Sequence, residues 1–227
     1  MKNIKIAIIV PEYNEGQRAV DTISSILKFS KNLVIVVDDG SDDNSFELLE
    51  KEFNKNKQVV LLKHLINLGK GAAMRTGIKM ARKRKMVAVI FIDADGQHNP
   101  KHLVDFERLL KSNDLVFGFR SMGVEMPSVR KWGNIFSLNL IKTLFKIDRS
   151  DLLCGYFAFK LKLYSKIKWS SSRYGVETEI AARAGKNKID FREIKIDTIY
   201  IDKYKGVTIF DAFKILVKLP YWYFEKQ

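Results

Sequence analysis

Short apolar segments alternate with longer amphipathic segments through the first half of the chain. The apolar segments are rich in Val and Ile and almost continuously apolar, as is typical of strands covered on both faces of a sheet. They predict strands at Ile4–Val10, Leu33–Asp38, Gln58–Lys63, Val87–Asp93 and Asp114–Phe119. The amphipathic segments predict helices at Gln17–Phe29, Ser45–Asn54, Lys70–Arg84 and Lys101–Leu110. This alternation predicts an α/β fold with a mostly parallel, twisted sheet and helices on both faces.

The pattern changes after residue 120. Further helices are predicted at Arg130–Lys146, Gly175–Ala184 and Val207–Phe224, and further strands at Gly155–Phe159 and Glu193–Asp197. No stretch rich in Pro, Gly or Ser is long enough to act as a linker. We therefore expect one domain over residues 1–227, with a first half at 1–120 and a second half at 121–227 that ends in an amphipathic helix.

Composition excludes several classes of protein. A hydrophobic content of 46% with 29% charged residues is typical of a globular chain and excludes bulk disorder. The single cysteine cannot form an internal disulfide, which argues for a reducing compartment. The longest apolar run, Val87–Ile92, is far shorter than the roughly 18 residues of a membrane-spanning helix. The formal charge of +14 favours anionic partners: nucleic acid, nucleotides or an acidic membrane face.

Polar residues follow four of the predicted strands, and the topology places these strand ends at one edge of the sheet. Asp93 and Asp95 end a buried strand, where unpaired carboxylates are costly. Hard oxygen ligands suit Mg²⁺ or Mn²⁺, particularly when nucleotide phosphates complete the shell, and Gln97 supplies a third oxygen. The alternative is a simple Asp-Ala-Asp-Gly turn with side-chain caps.

Two other strand ends each allow two interpretations. Asp38-Asp39-Gly40-Ser41 fits either a turn before a helix cap or a carboxylate that binds a ribose or base edge. Gly69-Lys70-Gly71 opens a helix, and a helix N-terminus with a lysine suits an anion, so Lys70 is expected to contact a nucleotide sugar; plain helix capping is the alternative. Met74 stands where a dinucleotide fingerprint has its third glycine, so that fingerprint is incomplete.

The ordered set of strand ends resembles a known family. The motifs are Pro11-x-Tyr13-Asn14-Glu15, Asp38-Asp39-Gly40-Ser41-x-Asp43, Asn67-x-Gly69-Lys70-Gly71 and Asp93-Ala94-Asp95-Gly96-Gln97-His98. In this order and spacing the chain resembles family 2 glycosyltransferases with the GT-A fold, in particular the polyprenyl-phosphate (dolichol-phosphate) mannose and glucose synthases. The motifs cover residues 4–120, and a weaker resemblance continues through 151–156, 174–179 and 200–206.

The resemblance implies roles by position. Around the nucleotide base and ribose it places Pro11, Tyr13, Glu15, Val37 and Asp39. At the ribose and diphosphate it places Asp93, Ala94 and Asp95, with Asp95 and Gln97 holding the Mg²⁺ or Mn²⁺. Arg120 matches a phosphate-binding arginine after the fifth strand, and Lys205 matches a basic residue on a late loop that closes over the donor. An arginine usual just before that lysine is missing, because Ile199 and Tyr200 stand near its place.

The implied reaction is an inverting, metal-dependent transfer of a sugar from a UDP- or GDP-sugar to a polyprenyl phosphate. Asp93, Asp95 and Arg120 are the expected catalytic residues, since a divalent metal and a cation stabilise the leaving diphosphate. A phosphate acceptor attacks without a general base, whereas a hydroxyl acceptor needs one. Glu177 and Glu179 are the carboxylates expected on the acceptor side. Arg120 and Arg130 are expected to bind the acceptor phosphate, because a guanidinium matches phosphate oxygens in a fork.

Other functions remain open from the residues alone. Transfer to a sugar hydroxyl on a glycan or glycolipid would use the same donor motifs, and a nucleotidyltransferase would share the sheet and the metal site. A nucleic-acid partner is not expected, because the acidic residues cluster at the predicted site while the lysines are scattered. The lipid acceptor and the +14 charge predict a cytoplasmic protein peripherally associated with the cytoplasmic face of the membrane. The aromatic, lysine-containing last helix fits either this surface or the core.

Overall fold

The computed structural model describes residues 4–120, 138–173, 175–197, 199 and 209–225, and within 209–216 the backbone alone. The strands are Ile6–Glu12 (β1), Leu33–Asp38 (β2), Val59–Lys63 (β3), Ala88–Phe91 (β4), Leu115–Arg120 (β5), Phe157–Lys160 (β6) and Arg192–Ile196 (β7). The helices are Gln17–Phe29 (α1), Ser45–Phe53 (α2), Lys70–Lys83 (α3), Leu103–Leu109 (α4), 138–145 (α5), Tyr164–Ile167 (α6), Val176–Lys186 (α7) and Ile209–Phe224 (α8). Short 3₁₀ turns lie at Pro100–His102 and Leu161–Leu163.

The described strands form a seven-stranded sheet in the order β3-β2-β1-β4-β6-β5-β7. Strands β3, β2, β1 and β4 are parallel, and β5 and β7 are parallel to each other. Strand β6 runs antiparallel to both of its neighbours, β4 and β5. The prediction of a mostly parallel α/β sheet is therefore confirmed. The insertion of β6 between β4 and β5 was not predicted, because local patterning carries no information on pairing over such a separation.

Two apolar layers cover the faces of the sheet, which explains why the strands are apolar along their whole length. Ala7 and Ile9 of β1 belong to one layer, together with side chains of α3, α5, α7 and α8. Ile8 and Val10 belong to the other layer, together with side chains of α1, α2 and α4. With both faces covered, the edge where the parallel strands end is left for polar chemistry.

Strand β1 runs to Glu12, two residues further than the predicted end at Val10. Pro11 stays in the strand because it pairs in parallel register with Val37, so the turn begins only after Glu12. Of the predicted helix Arg130–Lys146, the structure describes residues 138–145 as helical; its first part, with Arg130, lies outside the described residues.

Helix α8 combines the two alternatives considered for the last segment. Leu219 and Trp222 are buried and pack into the layer formed with α7, while Val217, Tyr221 and Phe224 are exposed. One face of the helix is thus core and another is open. Among the described helices none is both long and apolar enough to cross a membrane.

Candidate functional site

The ends of β1 and β2 are joined by hydrogen bonds between their exit loops. The Asn14 backbone N–H donates to Ser41 Oγ at 3.0 Å, and Asn14 Nδ2 donates to Asp42 Oδ1 at 2.6 Å. The Gly16 N–H donates to Ser45 Oγ at 2.7 Å, which ties the start of α1 to the start of α2. Asn14 adopts φ +54°, a conformation that asparagine tolerates better than most residues. These bonds form a continuous rim from the first strand end to the second.

Glu12 and Asp38 are buried side by side at the last register position of β1 and β2. Glu12 Oε1 accepts from the Glu15 N–H, and its carboxyl also lies against Ser41 Oγ. Asp38 Oδ1 accepts from the N–H groups of Gly40 and Ser41. Burial, together with the Asp38 charge, raises the pKa of Glu12 to about 7. Glu12 therefore takes up a proton near neutral pH.

This raised pKa predicts how stability varies with pH. The pKa of Glu12 is about 7 in the folded state and 4.5 in the unfolded chain, so the folded state binds the proton more tightly. The stabilisation that comes from this proton is present below pH 4.5 and is lost as pH rises towards 7. Relative to Glu12→Gln, which stays neutral, wild type should lose about 2–3 kcal/mol of unfolding free energy between pH 4.5 and pH 8. Urea unfolding across this range measures the difference. Equal pH slopes for the two proteins would contradict it, and Glu47→Gln, on the surface of α2, is the control.

The base and ribose residues implied by the resemblance do lie together at this rim. Pro11 and Val37 are neighbours across the β1–β2 register and are buried, so they form its floor. Tyr13 is 40% exposed and is available to stack on a flat ligand. Glu15 is partly buried, and its Oε2 lies 3.4 Å from Nε of Arg18.

Asp39 connects the β2 exit to the loop between β3 and α3. Its Oδ1 accepts from the Leu68 N–H at 3.1 Å, and its Oδ2 accepts from the Gly69 N–H at 2.6 Å. His64 Nδ1 lies 2.8 Å from the same Oδ1. Asp39 is 2% exposed, so these contacts hold its carboxylate in one orientation. The residue is thus part of a buried network that fixes one side of the rim.

Lys70 links the β4 exit to α7. Its Nζ lies 2.7 Å from Asp93 Oδ1 and 2.7 Å from Glu177 Oε1. Burial opposes ionisation of Asp93, but the Lys70 charge outweighs it and the pKa of Asp93 lies below its ordinary value. Burial likewise lowers the pKa of Lys70, but the two carboxylates raise it further, to above its ordinary value. Lys70 therefore carries a positive charge between two negative ones.

The negative charge of Asp95 is less well compensated by its surroundings than that of Asp93. Its Oδ1 accepts from the Gln97 N–H at 3.0 Å, and burial together with the Asp93 charge raises its pKa. Thr22 Oγ1 donates to the Ala94 carbonyl and so anchors the segment between the two aspartates to α1. The excess negative charge at Asp95 is the kind of environment that a divalent cation relieves.

A second observation beside these carboxylates also fits a cation. His98 Nδ1 is buried, has no hydrogen-bond partner among the described residues, and lies 3.9 Å from Asp93 Oδ2. Burial lowers the pKa of His98, which favours its neutral, electron-pair-donating form. In the described part of the chain no three His, Cys, Asp or Glu side chains converge as a ready-made metal cluster. The chemistry of Asp93, Asp95 and Gln97 thus fits a hard cation whose shell a ligand helps to complete.

The glycines that open α3 have a different role from the one predicted. The Gly71 N–H donates to the Ser172 carbonyl at 2.7 Å, and Trp169 Nε1 donates to the Gly71 carbonyl at 2.9 Å. A Cβ atom at Gly69 or at Gly71 would overlap the backbone of residues 171–172. The segment 169–172 therefore covers the start of this helix and takes up the Gly71 N–H, while contact of Lys70 with a nucleotide sugar stays a prediction.

Arg120, at the end of β5, is held in place by Asp151. Its Nε and its Nη2 donate to the two oxygens of that carboxylate, at 2.7 and 3.2 Å, and its backbone N–H donates to Oδ2. Arg149 also contacts this pair. It donates to the Asp151 carbonyl and stacks on the Phe117 ring, with 3.5 Å between its Cζ and the ring centroid. About a third of the Arg120 side chain remains exposed. The pair presents one fixed guanidinium at the rim.

The two glutamates of α7 have separate roles. Glu177 reaches the rim through its contact with Lys70, whereas Glu179 has a side chain with no exposed surface. Glu179 accepts from the N–H groups of Ser170 and Ser171 and from the Arg183 guanidinium. Glu179, although expected at the acceptor side, is therefore a structural anchor of the 170–171 segment. It faces inward, on the side of α7 opposite to Glu177.

The sequence missed three contributors to this site: Glu12, His64 and Asp151. Asp151 stands in a motif of the resemblance but was given no role, and nothing local marks the other two. Two expected residues, Arg130 and Lys205, lie outside the described residues. Cys154 is a buried thiol: the residue is 2% exposed and burial raises the pKa of its thiol to about 12.

Comparison with known proteins places the chain in a family. Residues 7–168 match the model of the glycosyl transferase family 2. An uncharacterized protein of Methanocaldococcus jannaschii is 35% identical over 95% of this chain and 90% of its own length. The UDP-N-acetylglucosamine–dolichyl-phosphate N-acetylglucosaminyltransferase of Methanococcus voltae is 30% identical over 94% of each chain. A dolichyl-phosphate β-glucosyltransferase of Dictyostelium discoideum is 29% identical over 88% of this chain and 68% of its own.

Solved structures share the fold. The glucosyl-3-phosphoglycerate synthase of Mycobacterium tuberculosis, in complex with Mn²⁺, UDP and phosphoglyceric acid, superimposes with a TM-score of 0.73 over 99% of this chain and 80% of that chain. The identity is 16%, so this likeness establishes the architecture alone. The expected GT-A fold is confirmed.

Proposed function

The chain belongs to glycosyl transferase family 2, and from this we propose that it transfers a sugar from a UDP- or GDP-sugar to a polyprenyl phosphate, with inversion at the anomeric carbon. The observation that carries the proposal is the convergence at one sheet edge of the β1–β2 rim, with buried Asp39, and the β4 exit, with Asp93 and Asp95. The first is suited to a base and ribose, and the second to a diphosphate. The end of β2 and the end of β4 are separated by the single strand β1, a spacing that a nucleotide can span.

On the donor side, each group has one task. Pro11 and Val37 supply an apolar floor, Tyr13 a ring to stack on the base, and Asp39 a buried acceptor for its polar edge. Glu15, at the outer end of this rim, lies next to the ribose in this arrangement. The ribose and base are thereby oriented before the reacting end of the molecule is reached.

At the β4 exit, Asp95 and Gln97 would hold Mg²⁺ or Mn²⁺, with Asp93 and Ala94 beside the ribose and diphosphate. When bound, the cation neutralises charge that develops on the leaving diphosphate. Arg120, fixed by Asp151, adds a guanidinium for the same phosphate oxygens or for those of the acceptor. Lys70 keeps Asp93 ionised and correctly placed, so it acts through the carboxylate rather than on the sugar.

The ion pair between Glu177 and Lys70 favours a phosphate acceptor over a hydroxyl acceptor. A hydroxyl must lose a proton during attack, which calls for a free carboxylate within reach. Glu177 is the α7 carboxylate that reaches the rim, and Lys70 already binds it at 2.7 Å. A polyprenyl phosphate is an anion and attacks without this help. The dolichyl-phosphate and undecaprenyl-phosphate transferases among the relatives use the same class of acceptor by name.

A lipid acceptor requires contact with a membrane surface, and we place this protein peripherally on the cytoplasmic face. Val217, Tyr221, Tyr223 and Phe224 of α8 are exposed side chains of the type found at headgroup level. The net charge of +14 adds attraction to anionic lipids. Binding to vesicles containing anionic lipid should weaken with added salt, since screening removes this attraction.

The test is a transfer assay with labelled UDP- and GDP-sugars, short-chain polyprenyl phosphate, and glycan or glycolipid hydroxyl acceptors in parallel. We expect label in polyprenyl-phosphate sugar, with release of nucleoside diphosphate. Label transferred only to a hydroxyl acceptor would favour the glycan alternative. Release of sugar 1-phosphate, with the nucleoside monophosphate passed to the acceptor, would indicate a nucleotidyltransferase. Arg120→Lys keeps the charge but loses the fork, and should raise the apparent KM for polyprenyl phosphate.

A further inference from the structure

His64 bridges α3 to the β2 exit. Its Nδ1 lies 2.8 Å from Asp39 Oδ1, and its Nε2 lies 2.9 Å from Thr76 Oγ1 on α3. Because a carboxylate only accepts hydrogen bonds, Nδ1 carries the proton of this contact in either charge state of the ring. In the neutral ring, Nε2 then accepts from the Thr76 hydroxyl. The three side chains form one chain of directed hydrogen bonds that ends at Asp39.

We propose that His64 is a positioning residue that aims Asp39 at the nucleobase, so that the donor must carry a base with a ring N–H on its pairing edge. This inference rests on the proposed function and deepens it. Uracil and guanine offer such an N–H, whereas cytosine and adenine present a ring nitrogen that only accepts. An acceptor facing an acceptor leaves both groups unpaired and desolvated, which is the condition under which polar recognition discriminates strongly.

The contacts of Asp39 leave one hydrogen-bond-accepting position on its carboxylate unoccupied. Oδ1 is engaged by His64 and by the Leu68 N–H, and Oδ2 is engaged by the Gly69 N–H. A carboxylate has about four lone-pair positions, so one remains, on Oδ2. His64 and Leu68 together prevent Oδ1 from rotating into its place. His64 adds to the control of this free position, because it binds Oδ1 and is itself held to α3 through Thr76. The N–H groups of Leu68 and Gly69 fix the remaining occupied positions.

The ordinary alternative is that His64 only fills space between β3 and α3. Two substitutions separate these roles, because the amide nitrogen of Asn can replace ring Nδ1 while that of Gln can replace ring Nε2. His64→Asn keeps a donor for Asp39 and gives up the Thr76 contact. His64→Gln keeps the Thr76 contact and gives up the donor. A space-filling role has no reason to distinguish the two on the basis of which nucleotide is bound.

The experiment is calorimetric binding of UDP, GDP, CDP and ADP with Mn²⁺ at fixed concentration, with melting temperatures recorded alongside. Wild type should bind UDP or GDP about tenfold or more tightly than CDP and ADP. His64→Asn should keep this preference, and His64→Gln should lose about fivefold or more of it. His102→Asn, a change to a histidine bonded to the Asp197 N–H away from Asp39, is the matched control and should resemble wild type.

Four outcomes overturn the inference. Equal loss of preference in His64→Asn and His64→Gln, or no loss in either, would make the residue structural. Tight binding of all four nucleotides by wild type would show that Asp39 does not read the base, while leaving the proposed transfer reaction intact. Absence of any nucleotide binding by wild type would instead overturn the proposed function and this inference together.

Discussion

Replacing Asp95 by Asn should reduce sugar transfer by about 100-fold or more while leaving the protein as stable as wild type, or more stable. The Gln97 N–H keeps its acceptor, because the Asn carbonyl stands where Oδ1 stood. Burial and the neighbouring Asp93 charge both penalise ionised Asp95 and raise its pKa, so a neutral side chain relieves that cost in the free protein. What is lost is the charge that holds a cation against the diphosphate.

The measurements are initial rates of transfer, thermal melting, and Mn²⁺ binding followed by titration calorimetry in the presence of UDP. Chelation by EDTA should abolish transfer by wild type, and added Mg²⁺ or Mn²⁺ should restore it. Asp105→Asn, which removes a surface carboxylate bound to Arg108, is the matched control and should leave rates unchanged. Full activity in EDTA, or wild-type rates for Asp95→Asn, would show that the β4 exit is only a turn.

Adding a single methyl group at Gly155 should be nearly as damaging to sugar transfer as the Asp95→Asn change. A Cβ atom at this position would overlap Asp93 Oδ2 and lie 2.8 Å from Lys70 Nζ. The methyl group would therefore push apart the ion pair that holds Asp93 in place. We expect Gly155→Ala to lower transfer by about 100-fold, because a shift of the order of 1 Å at a reacting centre is enough for such a loss.

A second glycine provides a control for the steric overlap that an added methyl group causes. Gly77 lies on α3 against the Ile9 side chain of β1, and a Cβ atom there would overlap it to a similar degree. Gly77→Ala should lower the free energy of unfolding by about 1–3 kcal/mol through overpacking, but keep turnover per folded molecule within about twofold of wild type. Proportional loss of stability and turnover in both variants would show that Gly155 matters only for packing.

The expected positions of the elements and of the donor-site residues come from local information. Apolar runs such as Leu33–Asp38 mark strands because both faces of a parallel sheet are buried. Polar residues that follow such runs must gather at one edge, since parallel strands all end there. This reasoning places Asp39 and Asp95 at one edge without any knowledge of their contacts, whereas Pro11 and Val37 were implied by the family resemblance. The structure describes the ends of these strands at that edge.

The partners of those residues depend on the tertiary structure. Lys70 and Glu177 are 107 positions apart, and their ion pair exists only because α7 packs beside α3. Glu179 is two residues further on and is fully buried, where the backbone N–H groups of Ser170 and Ser171 donate to its carboxylate. A helix pattern assigns both glutamates to the same polar class, so sequence alone could not separate a rim residue from an anchor.

The sequence by itself determined the fold class, the family and the edge of the sheet where chemistry occurs, because strand periodicity and the order of strand-end motifs are local properties. Only the tertiary structure decided that the glycines of α3 accommodate the 169–172 segment, and that His64 contacts Asp39 and Asp151 binds Arg120. These contacts join residues about 25 to 100 positions apart along the chain. Their energies arise from burial and hydrogen-bond geometry, which exist only once the two layers have packed on the sheet.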